Sequence, residues 1–225
     1  MPELQAPDST SDFYFVEAAD AEEAAAKLVV AERIPVRFGL DSIRDVQVLC
    51  PMNRGAGGAR TLNLALQAAL DPPRAGEASV ERFGFTYRVG DKVMQVENNY
   101  DREIFNGDLG FISGIDDEEA ELTVDLDGRE VRYPYGEPDE VTLAYATTIH
   151  GVSGSRNSGR GAALRHASAN LLYTGLTCGK QLVMLIGQKK AVGIAVRGVQ
   201  GRRRWSKLRE LLTMDGAVFA SRPCA

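Results

Sequence analysis

Residues 173–181, YTGLTCGKQ, place two glycines and a lysine directly before an apolar run, which raises the question of phosphate binding. A phosphate-binding loop of the Walker A type has four residues between its glycines, followed by Lys and then Ser or Thr. Here three residues separate Gly175 from Gly179, and Gln181 stands where a magnesium-binding hydroxyl is required. The apolar strand also follows the loop instead of preceding it. The segment is therefore not a phosphate-binding loop of this type.

The histidines and cysteines argue against a metal centre. The chain has two histidines, His150 and His166, and three widely separated cysteines that form no CxxC pair. An odd number of dispersed cysteines fits a reducing cytosol better than a disulfide framework or a zinc site. We therefore expect no metal site and a cytoplasmic location.

Charge is unevenly distributed along the chain. The 225 residues have a net charge of −5, yet residues 81–140 carry 6 basic and 17 acidic side chains, and residues 141–225 carry 13 basic and 2 acidic ones. A basic final third predicts contact with a polyanion. The charges are equally compatible with the alternative that the acidic and basic parts neutralise each other within the fold.

The sequence predicts neither a membrane segment nor a signal peptide. No apolar run approaches the roughly 18 residues that a membrane-spanning helix requires. The start of the chain, MPELQAPDSTSD, lacks the basic and apolar regions of a signal peptide. No membrane partner is expected.

The outer parts of the sequence predict an α/β layer. Short apolar strands are predicted at Phe13–Glu17 and Val46–Cys50, followed by helices at residues 20–32 and 61–70. This alternation is typical of a parallel sheet with right-handed crossovers. The same character returns later, with an apolar, β-branched segment at 141–149, helices at 170–178 and 188–196, and a strand at 181–186.

Between these parts the hydrophobic period changes to that of an antiparallel sheet. From residue 84, short alternating segments are separated by turn signals such as Asn106-Gly107 and Asp127-Gly128. We predict a small antiparallel barrel, inserted between the two α/β portions. By contrast, residues 151–169, GVSGSRNSGRGAALRHASA, predict a flexible loop without a strand, with a short helix near its end.

These patterns divide the chain into five segments. We assign residues 1–11 to a disordered tail, 12–80 to the first part of the α/β domain, 81–140 to the inserted barrel, 141–200 to the second part of the α/β domain, and 201–225 to a basic C-terminal helix and tail.

Several ordered stretches resemble one protein family. Residues 46–70, 82–110, 143–151 and 170–187, together with VQGRRRWSKLREL near the end, closely resemble the C-terminal half of RecD-like superfamily 1B DNA helicases. The resemblance spans about residues 12–212. It implies an α/β fold with a RecA-like parallel sheet of the P-loop NTPase type. This would be the second motor domain, which has no P-loop, interrupted by an SH3-like barrel.

The resemblance implies a function as well as a fold. In such motors ATP and Mg²⁺ lie between two RecA-like domains, and the first domain supplies the phosphate loop and the metal ligands. This chain would be the C-terminal portion of an ATP-dependent 5′–3′ helicase, contributing single-stranded DNA contacts and one wall of the ATP site. Because it has no Walker A or Walker B sequence, we expect it to be inactive alone. The N-terminal half on a separate chain is an expected partner.

Site residues follow from the same comparison. Arg54 falls on an arginine-bearing motif and is a candidate γ-phosphate contact, with a helix-capping or surface role as the alternative. Gly175 and Lys180 fall on a nucleotide-binding motif. Thr147, Thr148, His150 and Ser155 fall on a loop that contacts DNA. Satisfied strand hydroxyls and a structural histidine are the alternatives for the threonines and for His150.

The sequence departs from the family pattern at two places. Beyond His150, the motif TIHKSQGSE loses its lysine and glutamine, and its following strand is replaced by residues 151–169, which predicts a gap in the central sheet. In the motif YTGVTRGK, Cys178 replaces the arginine finger. A neutral thiol cannot stabilise phosphoryl charge as a guanidinium does. Lys180 cannot substitute, since residues i and i+2 do not share a helix face. An inert, half-buried cysteine is expected.

Two other functions remain open. The chain could be a non-enzymatic module that binds single-stranded nucleic acid, with affinity that falls steeply with salt. Aromatic residues of the insertion could then stack on bases, or they could belong to its core; these are Phe85, Tyr87, Tyr100 and Phe105. The remaining alternative is a degenerate remnant of a helicase gene.

Overall fold

The computed structural model describes residues 12–31, 38–135, 140–149, 161–164 and 169–197. The predicted tail at 1–11 and the predicted basic helix and tail at 201–225 lie outside these residues. In the described part of the chain, no helix is long and apolar enough to cross a membrane.

The described chain has an α/β part, then a part with strands only, then a second α/β part. The first contains β1 (Phe13–Glu17), α1 (Ala21–Ala31), β2 (Val46–Cys50) and α2 (Ala59–Leu70). The middle contains β3 (Ser79–Arg82), β4 (Phe85–Arg88), β5 (Lys92–Gln95), β6 (Leu109–Asp116), β7 (Glu121–Leu126), β8 (Arg129–Pro134) and β9 (Val141–Leu143). The last contains β10 (Ala146–Thr148), β11 (Gly161–Leu164), α3 (Ala169–Cys178), β12 (Leu182–Gly187) and α4 (Lys189–Arg197).

Five strands of the outer parts form one parallel sheet in the order β1-β12-β11-β2-β10. Strands of a parallel sheet are covered on both faces and are therefore short and apolar. Accordingly, Leu49 and Cys50 of β2 and Met184 and Ile186 of β12 are buried. The predicted α/β layer around a parallel sheet is confirmed.

Strand β11 fills the position where a gap was expected. Ala163 pairs with Val48 of β2 on one side and with Met184 of β12 on the other. The prediction that residues 151–169 contain no strand is therefore wrong. The sequence GAAL lacks the β-branched residues that favour strands, but strand formation depends strongly on context. Here two parallel neighbours offer main-chain hydrogen bonds on both edges, and this outweighs the weak local preference.

Helix α1 begins with a side-chain cap at Asp20. Asp20 Oδ1 accepts a hydrogen bond from the N–H of Glu23 at 2.8 Å, and Glu23 Oε2 accepts one from the N–H of Ala19 at 2.6 Å. The bond from Glu23 satisfies a donor that the first turn of a helix leaves without a partner, and the bond from Ala19 holds the residue before the cap. The helix therefore starts directly after Asp20.

The middle part is antiparallel, as predicted. β3 and β4 form a hairpin, and the other strands form a sheet in the order β8-β7-β6-β5-β9. Asp127 and Gly128 form the predicted two-residue turn between β7 and β8, with φ angles of 56° and 86°. Within the described residues this sheet is open, with β8 and β9 as its edges, so the strand pairs do not close it into a barrel.

The β3–β4 hairpin packs on the five-stranded antiparallel sheet through two aromatic rings. Phe85 and Tyr87 are buried and meet edge to face, with centroids 6.3 Å apart. They share one apolar core with Val93, Ile112 and Val124 of the sheet. Of the two roles considered for Phe85 and Tyr87, base stacking and core packing, the structure shows core packing.

Asn63 connects helix α2 to the segment that leaves the insertion. Its Nδ2 donates to the carbonyls of Leu143 and Ala146, both at 2.9 Å, and its Oδ1 accepts from the N–H of Ala146 at 2.7 Å. The side chain is buried, where an unpaired polar group would be costly. Because Leu143 ends β9 and Ala146 begins β10, these bonds fix the path by which the chain re-enters the parallel sheet.

Candidate nucleic-acid and nucleotide interface

Arg54 lies in a glycine-rich loop that folds back over the start of α2. The N–H of Ala59 donates to the carbonyl of Met52 at 3.1 Å. The N–H of Arg60 donates to the carbonyl of Asn53, also at 3.1 Å. Both bonds satisfy donors at the helix N-terminus. The loop therefore has a fixed path, although most of its side chains are exposed.

Gly58 allows this loop to approach itself closely at Arg54. A Cβ at residue 58 would lie 2.6 Å from the carbonyl carbon and oxygen of Arg54 and from the carbonyl oxygen of Asn53. Only glycine fits there without displacing the backbone. The Arg54 side chain itself is exposed, so its guanidinium is accessible to an anionic ligand.

Thr147 and Thr148 end strand β10, next to the last residues of β2. Thr147 is only 3% exposed, and its Oγ1 accepts a hydrogen bond from Gln47 Nε2 at 3.3 Å. This geometry matches the alternative of a satisfied strand hydroxyl. Thr148 is half-buried and lines a cleft. DNA contacts at both threonines stay predictions, and His150 and Ser155 lie outside the described residues.

The cleft beside Thr148 has a volume of about 390 Å³ and lies between α2, β10 and the β3–β4 hairpin. Its lining brings polar groups of the α/β part together with aromatic and cationic groups. These include Asn53, Arg60, Asn63, Phe83, Phe85 and Thr148. Aromatic and cationic walls suit a planar aromatic ligand attached to a phosphate.

Arg60, on the first turn of α2, joins this helix to the hairpin. Its Nη2 donates to the carbonyl of Phe83 at 3.1 Å, and its Cζ lies 5.0 Å from the ring centroid of Phe85. That distance is within the range of a cation–π contact. The sequence interpretation missed Arg60. The string RFGF at residues 82–85 was the available signal, because it places an arginine and two aromatic residues around a glycine turn.

Cys178, Lys180 and Gly175 lie at the other end of the parallel sheet. Cys178 ends α3 and packs, half-buried, against an apolar cluster that includes Leu172 and Leu185. Burial raises the pKa of its thiol, which therefore stays neutral at neutral pH. Lys180 is exposed, and Gly175 is buried within α3.

The structure does not bring Arg54 together with Cys178 and Lys180. Arg54 follows the carboxyl end of β2, whereas Lys180 precedes the amino end of β12. These strands run parallel and in register through β11. The two groups of residues therefore lie beyond opposite ends of these strands.

Comparison with known proteins shows that the sequence is similar to RecD-like helicases. A model described as the ATP-dependent RecD-like DNA helicase SH3 domain matches residues 62–126. The ATP-dependent RecD2 DNA helicase of Deinococcus radiodurans is 39% identical over 155 residues, or 67% of this chain. The chain is related to the RecD-like helicases. The resemblance predicted from the sequence is thereby confirmed.

The RecD-like relatives are much longer than the matched region. The match covers 21% of the Deinococcus protein. The RecBCD enzyme subunit RecD of Mycolicibacterium smegmatis is 26% identical over 165 residues, which cover 71% of this chain and 28% of that protein. The chain therefore corresponds to a minor part of these relatives.

A solved helicase structure also overlaps part of the chain. The crystal structure of Bacteroides Pif1 bound to single-stranded DNA has a TM-score of 0.43 at 16% identity, over 72% of this chain and 48% of that chain. This overlap is too low to support an argument about the fold, which rests on the described strands themselves.

The residues that the resemblance predicts to contact the nucleotide differ in how well they suit a phosphate. Cys178 does not fit one, because its thiol is neutral and lies against apolar side chains. The exposed ammonium of Lys180 does fit an anion, and so does the exposed guanidinium of Arg54 at the opposite end of the sheet. The chain thus offers separate cations at two ends of one sheet.

Proposed function

We propose that this chain is the C-terminal motor portion of a RecD-like, ATP-dependent 5′–3′ DNA helicase, built as a second RecA-like domain with an inserted SH3-like domain. One observation carries the proposal. The match to the RecD-like SH3 model falls largely on an antiparallel insertion that interrupts an all-parallel sheet between α2 and β10. The continuity of that sheet through β11 argues against an unfolded remnant.

In this proposal, single-stranded DNA runs along the carboxyl end of the parallel sheet. Thr148 lines the cleft there, and Arg60 forms part of its wall. Arg54 is exposed in the loop that leads into α2, the helix that carries Arg60. Arginine side chains commonly bind backbone phosphates. A γ-phosphate contact at Arg54 remains a candidate, but its position at this end suits a DNA phosphate better.

The amino end of the sheet is the proposed wall of the ATP site. Gly175 would provide close packing there, and Lys180 a cation. The phosphate loop and the Mg²⁺ ligands would come from a first motor domain. Because a thiol cannot stabilise transferring phosphoryl charge, Cys178 leaves this wall without an arginine finger. We expect no ATP hydrolysis by this chain alone.

Binding of a labelled thymidine oligonucleotide to the full chain, measured by fluorescence anisotropy at several salt concentrations, tests the DNA part. Each phosphate contact should steepen the fall of log affinity with log salt by about 0.7. Arg54→Ala and Arg60→Ala should each reduce the slope by about this amount. Arg74→Ala is the matched control, because this exposed arginine is not part of the cleft lining. Absent or salt-insensitive binding would contradict the proposal.

Steady-state ATPase assays with saturating single-stranded DNA test the motor part. The chain alone should show only background turnover, and significant turnover would overturn the assignment. Fused to the first motor domain of the Deinococcus relative, the Cys178→Arg variant should hydrolyse ATP roughly tenfold faster or more than the unmodified fusion, because it restores a guanidinium. Equal turnover of the two fusions would argue against an ATP wall at residue 178.

The environment of Cys178 favours a second candidate function, a module that binds single-stranded nucleic acid and has no motor role. A protonated thiol in apolar surroundings contributes nothing to phosphoryl transfer, while the exposed arginines near the cleft are unaffected. The same fusion distinguishes the two functions. A non-hydrolysable ATP analogue should change its DNA affinity if the chain is a motor half, and should leave the affinity unchanged if it is a passive module.

A further inference from the structure

The turn of the β3–β4 hairpin carries an unexpected residue. Phe83 and Gly84 form a two-residue turn, since Arg82 pairs with Phe85 across it. Their φ angles are both positive, 53° and 77°, as in a type I′ turn. Asn, Asp or Gly is usual at the first position, because a bulky side chain is strained in the left-handed region.

The turn between β7 and β8 has a residue type that suits a positive φ angle. It has the same two-residue length and similar φ angles, but Asp127 occupies the position that corresponds to Phe83. Core packing does not compensate for the strain at Phe83, whose surface is 52% exposed. A strained and exposed aromatic residue points to a ligand that contacts its ring.

Two arginines flank Phe83 and limit the kind of ligand. Arg60 donates its Nη2 proton to the Phe83 carbonyl at 3.1 Å and so holds the turn from the side of the cleft. Arg82 precedes Phe83, and its Cζ lies 5.0 Å from the ring centroid of Tyr135. Both arginines are exposed. An exposed aromatic residue with one arginine bonded to its carbonyl and another next to it in the chain suits a base that is joined to phosphates.

We propose that Phe83 is a stacking platform for a base of single-stranded DNA at the mouth of the 390 Å³ cleft. Arg60 and Arg82 bind the phosphates on either side of that base. The inference rests on the proposed DNA-binding function and assigns a specific contact to it. Because every base has a π-face, this platform accepts all four bases.

Tyr100 and Phe105 are also exposed aromatic residues of the insertion, but their surroundings are acidic. Tyr100 is 74% exposed and meets Phe105 edge to face, with centroids 6.2 Å apart. Phosphates would be repelled there, because the same loop carries four carboxylates, those of Glu97, Asp101, Glu103 and Asp108. Tyr100 is therefore a matched control, an exposed aromatic residue of the same insertion in acidic surroundings.

The decisive variant is Phe83→Asn in the full chain. Asparagine suits the type I′ turn, so the melting temperature should rise by roughly 2–4 °C. Affinity for a thymidine oligonucleotide should nevertheless fall by roughly 5- to 150-fold, the effect expected for losing one stacked base. Tyr100→Asn should leave the affinity unchanged. A purely structural Phe83 cannot give higher stability together with weaker binding.

A second measurement detects the stacking directly. An oligonucleotide containing 2-aminopurine loses fluorescence when that base stacks on an aromatic ring. The wild-type chain should quench one position of the oligonucleotide, Phe83→Trp should retain the quenching, and Phe83→Asn should abolish it. Because arginine contacts remain in each variant, the salt dependence of binding should be the same for all three.

The outcomes separate this inference from the broader proposal. If Phe83→Asn binds DNA as tightly as the wild type, or melts at a lower temperature, the stacking role is wrong while DNA binding by the chain stands. If the wild-type chain binds no single-stranded DNA at all, the proposed function fails, and the stacking role fails with it. Weaker binding by a more stable Phe83→Asn variant supports both.

Discussion

The hydroxyl of Tyr145 donates a 2.7 Å hydrogen bond to Asp91 Oδ1, and this bond joins the start of the five-stranded antiparallel sheet to the exit of the insertion. Asp91 directly precedes β5, and Tyr145 lies between β9 and β10. Asp91 Oδ2 accepts two further bonds of 2.7 Å, from Gln67 Nε2 and from the N–H of Arg88. The fully buried carboxylate thus ties the insertion to helix α2 and to the returning chain.

Tyr145→Phe should destabilise the fold by about 1–3 kcal/mol, because it removes a donor from a buried carboxylate. Burial already raises the pKa of Asp91, whereas the hydrogen bond from Tyr145 lowers it. Urea unfolding at neutral pH measures the change. Tyr173→Phe is the control, because Tyr173 is 71% exposed and its hydroxyl is accessible to water.

The Asp91→Asn variant tests whether the effect depends on charge. If the Tyr145–Asp91 bond is strong because its acceptor is ionised, the two substitutions should be less than additive in a double-mutant cycle. Additive free energies of unfolding would mean that the two side chains act independently. The proposed anchoring of the insertion would then rest on Gln67 and Asn63 alone.

Gly58→Ala should disturb the loop that carries Arg54. The new Cβ would lie 2.6 Å from backbone atoms of Arg54 and Asn53, which cannot move as a side chain can. We expect a loss of about 1–3 kcal/mol in the free energy of unfolding, together with weaker DNA binding through displaced Arg54. Thermal unfolding and anisotropy titrations measure the two effects.

Gly193→Ala provides the comparison for that variant. Gly193 lies within α4, and a Cβ there would meet no atom within 4 Å. Alanine should therefore stabilise the helix by about 0.5–1 kcal/mol. If both glycine variants shift stability in the same direction, close backbone approach at Gly58 is not what limits the loop.

The sequence predicted the strands of the parallel sheet well, because their apolar runs are strong local signals. Strands β1 and β2 begin and end at the predicted residues. β11 could not be predicted in this way, since its four residues become a strand only between two neighbours. The tight turn at Asp127-Gly128 was predictable because its residue types match its backbone angles.

The candidate site was only partly predictable for a similar reason. The sequence pointed to Thr148 only through the family resemblance, whereas its position beside the end of β2 follows from the pairing of β10 with β2. The cleft depends on the hairpin packing against α2, a contact between residues more than twenty positions apart, such as Arg60 and Phe83. The cleft lining also includes buried Asn63, a residue type that usually lies at the surface.

Cys178 should react slowly with iodoacetamide. Its pKa is raised by burial, and only the thiolate is nucleophilic. Peptide mass spectrometry after timed alkylation at pH 7.5 should show slower modification of Cys178 than in the urea-unfolded chain, and the rate should increase as the pH is raised. Rapid modification of the native chain at pH 7.5 would instead indicate a reactive thiol near Lys180.

Lys92 should make stability rise with pH in the alkaline range. Burial lowers the pKa of this lysine from 10.5 to about 8, although Asp41 and Asp45 favour its charged form. Between these values the unfolded chain binds more protons than the folded one, so the free energy of unfolding increases with pH, by up to about 1.4 kcal/mol per unit. The neutral amine still has protons for its two 2.9 Å bonds to backbone carbonyls.

Urea unfolding of the wild type and of Lys92→Met between pH 7 and 9.5 measures this contribution as a difference. The variant should be less stable throughout by about 1–3 kcal/mol, because the carbonyls of Ile43 and Val46 lose their donor. The deficit should grow as the pH rises above 8, since only the wild type gains stability there. Lys190→Met, at an exposed position, should follow the wild type at every pH. A deficit that stays constant across this range would mean that Lys92 titrates normally despite its burial.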